Sequence, residues 1–213
     1  MDSTETDNFI KIILLLQNVT DKLRILFKNK WIIKFNKEWI NTIDDGNILI
    51  NDINKIIYEN IDNVQKEILK KGNVENWDLS TLLLVFREIK LYEEDNFINY
   101  TNNITKIRNK IAHHPSSKIK NKGFDYMSKI INNMLTFLDK ENANDLRIIG
   151  NKYVKEENYT QAINMYTEAI KILNISNEDL SKIYCNRLYC YYKKKLFEKA
   201  LQDGYLSIEL NTN

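Results

Sequence analysis

Residues 146–173 read LRIIGNKYVKEENYTQAINMYTEAIKIL. Apolar side chains recur at helical spacing on both sides of a short polar break, which predicts two amphipathic helices over 143–156 and 159–173. Residues 183–210, IYCNRLYCYYKKKLFEKALQDGYLSIEL, repeat the pattern. At an offset of 38 residues Leu146 corresponds to Tyr184, Tyr153 to Tyr191, Tyr159 to Phe197, Ala162 to Ala200 and Ile170 to Ile208. A repeat of this length predicts a solenoid of helix pairs, each burying its apolar face against the next. Ala162 and Ala200 fall where two helices must approach closely, and Tyr159 and Phe197 where the turn of each pair closes.

Working outward, the whole chain reads as all-α. One proline and five glycines in 213 residues are too few for strands joined by tight turns. Helices are predicted at 7–29, 35–44, 47–71, 78–92, 94–113, 123–139, 143–156, 159–173, 177–193 and 197–210. Gly46, Gly72 and Gly123 mark breaks, Asp78 is an N-cap candidate, and Pro115 should stop the helix before it. No repeat is visible before residue 141, so two domains are expected, a helical bundle over 1–141 and a repeat module over 142–213.

Apolar residues make up 43% of the chain, enough to bury a core, and the net charge is only +2. The overall charge therefore selects no partner, and local clustering must. Cys185 and Cys190, five apart on a helix, face different directions, which fits two free thiols rather than a disulfide framework. The start, MDSTETDN, is not a signal peptide, and FIKIILLLQNV (9–19) is too short and interrupted to span a bilayer. A soluble, intracellular protein without membrane attachment is the expectation. No cofactor is implied: there is no glycine-rich phosphate loop and no G-x-S-x-G. No metal site is expected, because adjacent histidines on a helix point about 100° apart and no Cys or acid nearby completes a tetrahedron.

The first repeat unit resembles the tetratricopeptide repeat (TPR), with Gly150, Tyr153, Tyr159, Ala162, Tyr166 and Ala169 at signature positions. The second unit is similar, with four extra residues in the connecting loop. It departs from the family in carrying Leu188 where a small residue is usual and Gly204 where a bulky one is usual. The resemblance implies a peptide-binding groove. It extends to the co-chaperone subclass, whose carboxylate clamp binds the C-terminus of heat-shock chaperones. The matching positions are Arg147, Asn151 and Asn186: a cation neutralises the carboxylate and amides donate to it. The full clamp takes two more basic residues from a third repeat, which would lie beyond Asn213, so a truncated chain and an exposed apolar face on the last helix are expected. Asn151 and Asn186 also fit a groove for some other peptide.

A second motif lies at 107–117, IRNKIAHHPSS, which holds both histidines and the only proline. Phe97, Tyr100, Ile104, Ile107 and Ile111 form the apolar stripe of its helix, and Arg108, Asn109 and His113 fall off it. From Asn96 to Phe124 there is no Asp or Glu, while Lys106, Arg108, Lys110, Lys118, Lys120 and Lys122 are present. Such a run suits a phosphate backbone. A solvated lysine face enlarged by AT-rich codon usage fits it as well.

R-N-x-x-A-H at a helix end resembles the signature of the HEPN superfamily (higher eukaryotes and prokaryotes nucleotide-binding). WDLSTLLLVF (77–86) and FDYMSKIINNMLTFL (124–138) extend the similarity over about 75–140, and His114 departs from it. The resemblance implies a metal-independent ribonuclease, with His113 moving protons, Arg108 stabilising phosphate charge and Asn109 orienting the histidine; the charge run adds Lys106, Lys110, Lys118, Lys120 and Lys122 as RNA-binding candidates. Arg108 and His113 lie about 140° apart around one helix, so the implied site needs a homodimer. RNA binding without cleavage, and a merely structural helix end, are the other readings. Two functions therefore stay open: an RNA-directed protein recruited through its TPR, or a non-enzymatic TPR adaptor whose bundle only dimerises.

Overall fold

The computed structural model describes residues 3–53, 55–92, 94–113 and 116–212. The expected stop at Pro115 and the departure at His114 lie outside them. The described residues are mostly helical, with no strand among them. Two compact units are present, Met1–Leu135 and Thr136–Asn213.

The first unit opens with the long helix α1 (Ser3–Phe35), followed by α2 (Ile43–Asp52), α3 (Lys55–Asn60), α4 (Asn63–Lys71), a 3-10 turn (Val74–Asn76), α5 (Leu79–Glu88) and α6 (Asp95–Ala112). α1 buries Ile12, Leu16, Val19, Leu23, Leu26, Phe27 and Trp31 in one stripe, which packs against α5 and α6. All three tryptophans meet there. Phe27 lies 4.8 Å from Trp39 and 5.0 Å from Trp77, and Trp31 lies 4.7 Å from Trp39, ring centre to ring centre, largely edge to face. Such pairs add about 0.5–1.5 kcal/mol each beyond area burial. Arg24 ties the 3-10 turn to α1 by donating to the carbonyls of Val74 (3.2 Å) and Trp77 (2.8 Å).

Three sequence expectations are corrected here. The predicted helix 35–44 is irregular, because Asn36 and Asn41 adopt left-handed backbone (φ 56° and 62°), a conformation asparagine tolerates. That bend lets Trp39 turn into the core and donate to the Gly72 carbonyl at 2.9 Å. The predicted helix 47–71 is three helices. Thr42 starts α2 with a reciprocal capping box to Asp45, and Asp62 caps α4 by accepting from Gln65 N. Gly46 is not a break but lies inside α2, where a methyl group would stand 2.5 Å from the carbonyl oxygens of Leu69 and Lys70. Only a missing Cβ lets α2 meet the end of α4 this closely.

The helices predicted at 123–139 and 143–156 are one, α7 (Asn121–Lys155). The polar run between them contains no helix breaker, and its Asp139 is buried and accepts from Asn174 Nδ2 at 2.9 Å. The boundary of the two units falls within α7. The second unit continues with α8 (Tyr159–Ile170), α9 (Asn177–Lys193) and α10 (Phe197–Thr212), with α8 packed on α9 and α9 on α10.

Candidate peptide-binding site

The repeat seen in the sequence is reproduced bond for bond in the turns. Between α7 and α8, Glu157 has φ 56°, its N–H donates to Val154 O (3.0 Å), and Asn158 N donates to Tyr153 O (2.8 Å). Between α9 and α10, Lys195 has φ 61°, its N–H donates to Tyr192 O (2.9 Å), and Leu196 N donates to Tyr191 O (2.9 Å). Each acceptor and donor is shifted by the repeat offset. Ala162, Tyr166, Ala169, Ile183 and Cys190 form the buried core, with Leu146, Tyr153, Val154, Tyr159, Ile163 and Ile170 against it. Burial pushes the Cys190 thiol up to about 11, so it stays protonated and inert at neutral pH.

Asn151 and Asn186, 35 positions apart, are joined directly. Asn151 Oδ1 accepts from Asn186 Nδ2 at 3.0 Å and from the Tyr166 hydroxyl at 2.6 Å. Burial raises the pKa of that hydroxyl, keeping it a donor. Gly150 makes the contact possible, since a methyl group there would stand 2.5 Å from the Tyr166 ring. With both acceptor directions of Asn151 Oδ1 used, its NH2 group has no partner among the described residues. One turn earlier, Arg147 spends one N–H on Asn144 Oδ1 at 2.8 Å. Arg147 also lines a cavity of about 200 Å³ with Lys140, Glu141, Asn144, Asp179, Ile175 and Ile183, among others. The cavity beside Arg147 thus carries two cations and two carboxylates, while the Asn151 amide offers N–H donors.

These observations set the chain beside known proteins. It is similar to TPR-containing proteins. Over 77 residues it is 35% identical to sperm-associated antigen 1 of Rattus norvegicus, covering 36% of this chain and 8% of that protein. Over 72 residues it is 36% identical to dynein axonemal assembly factor 4 of Pan troglodytes, covering 34% and 16%. Over 63 residues it is 41% identical to the mitochondrial import receptor subunit TOM70 of Homo sapiens, covering 29% and 10%. The chain thus spans less than a fifth of the length of each. No family model matches the chain. No solved structure gives a significant match.

One strong interaction in this unit was missed in the sequence. Arg187 binds Asp203 through two parallel bonds of 2.8 Å and donates to Thr167 Oγ1 at 3.0 Å, joining α9 to α10 and α8. Burial works against its charge, but the hydrogen bonds and charge of Asp203 outweigh it and raise its pKa. The rings of Tyr184 and Tyr191 lie 5.4 and 5.6 Å from the guanidinium. The partners stand 16 positions apart on different helices, so no local spacing rule signals the pair.

The residues of the second motif lie in the first unit. Phe97, Ile104 and Ile107 are buried. Arg108 donates to Ser80 Oγ (3.1 Å) and Asn109 Oδ1 (3.2 Å) and lies 3.8 Å from Asp78. His113 is exposed and is the C-cap residue of α6. Among the described residues no side-chain bond joins His113 to Arg108 or Asn109, so this helix brings two members of the motif together and not the third. Lys106 is exposed, whereas Lys110, Lys118, Lys120 and Lys122 line one hollow. No group of three His, Cys, Asp or Glu able to hold a metal occurs among the described residues, and no helix there is long and apolar enough to cross a membrane.

Proposed function

We propose that this protein is a TPR adaptor whose second unit captures a protein partner by the C-terminal carboxylate of a peptide. The observation that carries this reading is the double acceptance at Asn151 Oδ1, which commits the oxygen to Tyr166 and Asn186 and leaves the NH2 group to donate. Asn186 has a second amide hydrogen, and Arg147 supplies the cation. Together they satisfy a carboxylate without adding negative charge. The TPR-containing relatives support a protein-binding role. The C-terminal peptide of a heat-shock chaperone is the partner of matching chemistry. Nothing in the comparisons supports a ribonuclease.

The test is a calorimetric titration of the full chain with a short acidic peptide bearing a free C-terminus, against the same peptide amidated. Amidation should weaken binding about tenfold or more, by loss of charge-assisted bonds. Equal affinity for the two would reject the carboxylate reading.

A further inference from the structure

Four lysines of the acid-free stretch line one hollow in the first unit, and we propose that this hollow binds a compact polyphosphate. Its volume is about 660 Å³, and Lys110, Lys118, Lys120 and Lys122 line it with Glu5, Ser116 and Tyr126. The lining therefore carries four cations against one anion. None of the four lysines forms an ion pair among the described residues, whereas Lys28, Lys34, Lys37 and Lys182 are each paired to an acid. Holding four ammonium groups around one concavity with a single carboxylate, Glu5, is unfavourable by mutual repulsion, and a multivalent anion lowers that cost.

The hollow is built rather than accidental. Ile119 is 4% exposed and Met127 2% exposed, and both form its apolar floor. Ile119 is buried between the half-buried Lys118 and the exposed Lys120, and all three line the hollow. The segment is pinned to α1: Ile119 N donates to Glu5 O at 2.9 Å. The buried Asn8 donates from Nδ2 to Ile119 O at 3.2 Å and to Asn121 Oδ1 at 2.8 Å. Tyr126, two-thirds exposed at 67%, supplies a ring face and a hydroxyl at the edge.

The size is that of a small-molecule site, which typically spans about 300–1,000 Å³. Lysines act as point charges that each take one oxygen of a phosphate, rather than as planar forks for a single carboxylate. Four cations lining one hollow with an apolar floor favour a compact ligand over an extended strand, which a continuous basic groove would serve better. This site lies in the first unit and stands or falls independently of the peptide reading.

The experiment titrates the full chain calorimetrically with inositol hexakisphosphate, ATP and pyrophosphate. Two triple variants are compared: Lys118→Ala/Lys120→Ala/Lys122→Ala, and Lys70→Ala/Lys71→Ala/Lys129→Ala, which removes the same charge elsewhere. Thermal melts establish that both fold. The expected result is binding of at least one polyphosphate that the first variant weakens about tenfold or more and the second changes little. Equal weakening by both variants, or no binding of any of the three, overturns the proposal. So does a single-stranded RNA oligonucleotide that displaces the polyphosphate at a lower concentration of phosphate groups, which would make the surface a nucleic-acid site.

Discussion

Leu188 lies over Gly204, its Cδ1 3.1 Å from where a methyl group on that glycine would stand. One repeat earlier the same two positions hold Gly150 and Tyr166, with the small residue on the first helix and the large one on the second. The second repeat thus inverts the pair. Two departures from the TPR pattern, unexplained when taken singly, compensate each other in space.

Gly150→Ala and Gly204→Ala should therefore differ although both are glycines within helices. Each gains up to about 1 kcal/mol of helix propensity. At position 150 the new methyl meets the Tyr166 ring at 2.5 Å and must displace its hydroxyl from Asn151, at an overpacking cost of about 1–3 kcal/mol. At position 204 it meets only the flexible end of Leu188. Urea unfolding should show Gly150→Ala destabilised and Gly204→Ala near neutral or stabilised. Equal effects would refute the inverted packing.

Asn151→Asp separates folding from binding. The aspartate still accepts from Tyr166 and Asn186, so the melting temperature should hold. The donor facing the ligand becomes a negative charge, and affinity for a peptide with a free C-terminus should fall about tenfold or more. Undiminished binding would remove Asn151 from the site.

The Arg187–Asp203 pair is buried, with side chains 14% and 3% exposed. Asp203→Ala leaves a guanidinium without its partner and should cost about 3–5 kcal/mol, whereas Arg187→Met with Asp203→Leu should recover most of it. Chemical denaturation of the single and double variants measures both. A double variant no better than the single would show that α9 and α10 need the charges themselves.

Asp45 links stability to pH. Burial alone would raise its pKa, but hydrogen bonds from Lys37, Thr42 and Ile40 outweigh this and hold its carboxyl below the usual range. A depressed folded value means the stabilisation is fully present above the unfolded pKa of about 3.9 and disappears as pH falls through the folded value. Stability measured between pH 7 and pH 2 should drop below about pH 4 in the natural protein. Asp45→Asn should be weaker at pH 7 and show a shallower acid limb. Equal limbs in the two proteins would reject the linkage.

Much of the second unit was legible in advance because its structure is local and repeated. A periodic apolar face, an alanine at each crossing and a polar turn suffice to specify a helix pair, and the turns at Glu157 and Lys195 repeat bond for bond. In the first unit, helix existence was legible and helix boundaries were not. Asn36 and Asn41 break α1 and its continuation through backbone conformation rather than composition, and the polar run at 139–145 stays helical because its side chains find partners.

The sequence by itself therefore determined an all-helical chain, its repeat, and the residue types available for an anion: Arg147, Asn151, Asn186 and the lysines of 106–122. The tertiary structure alone decided how these residues combine. It set Asn151 against Asn186 and Tyr166, Leu188 over Gly204, Arg187 on Asp203, and four lysines around one hollow. The physical reason is distance along the chain. Helical periodicity is written in neighbours three and four apart, whereas hydrogen bonds between helices join residues 15 to 35 positions apart, whose meeting depends on every crossing between them.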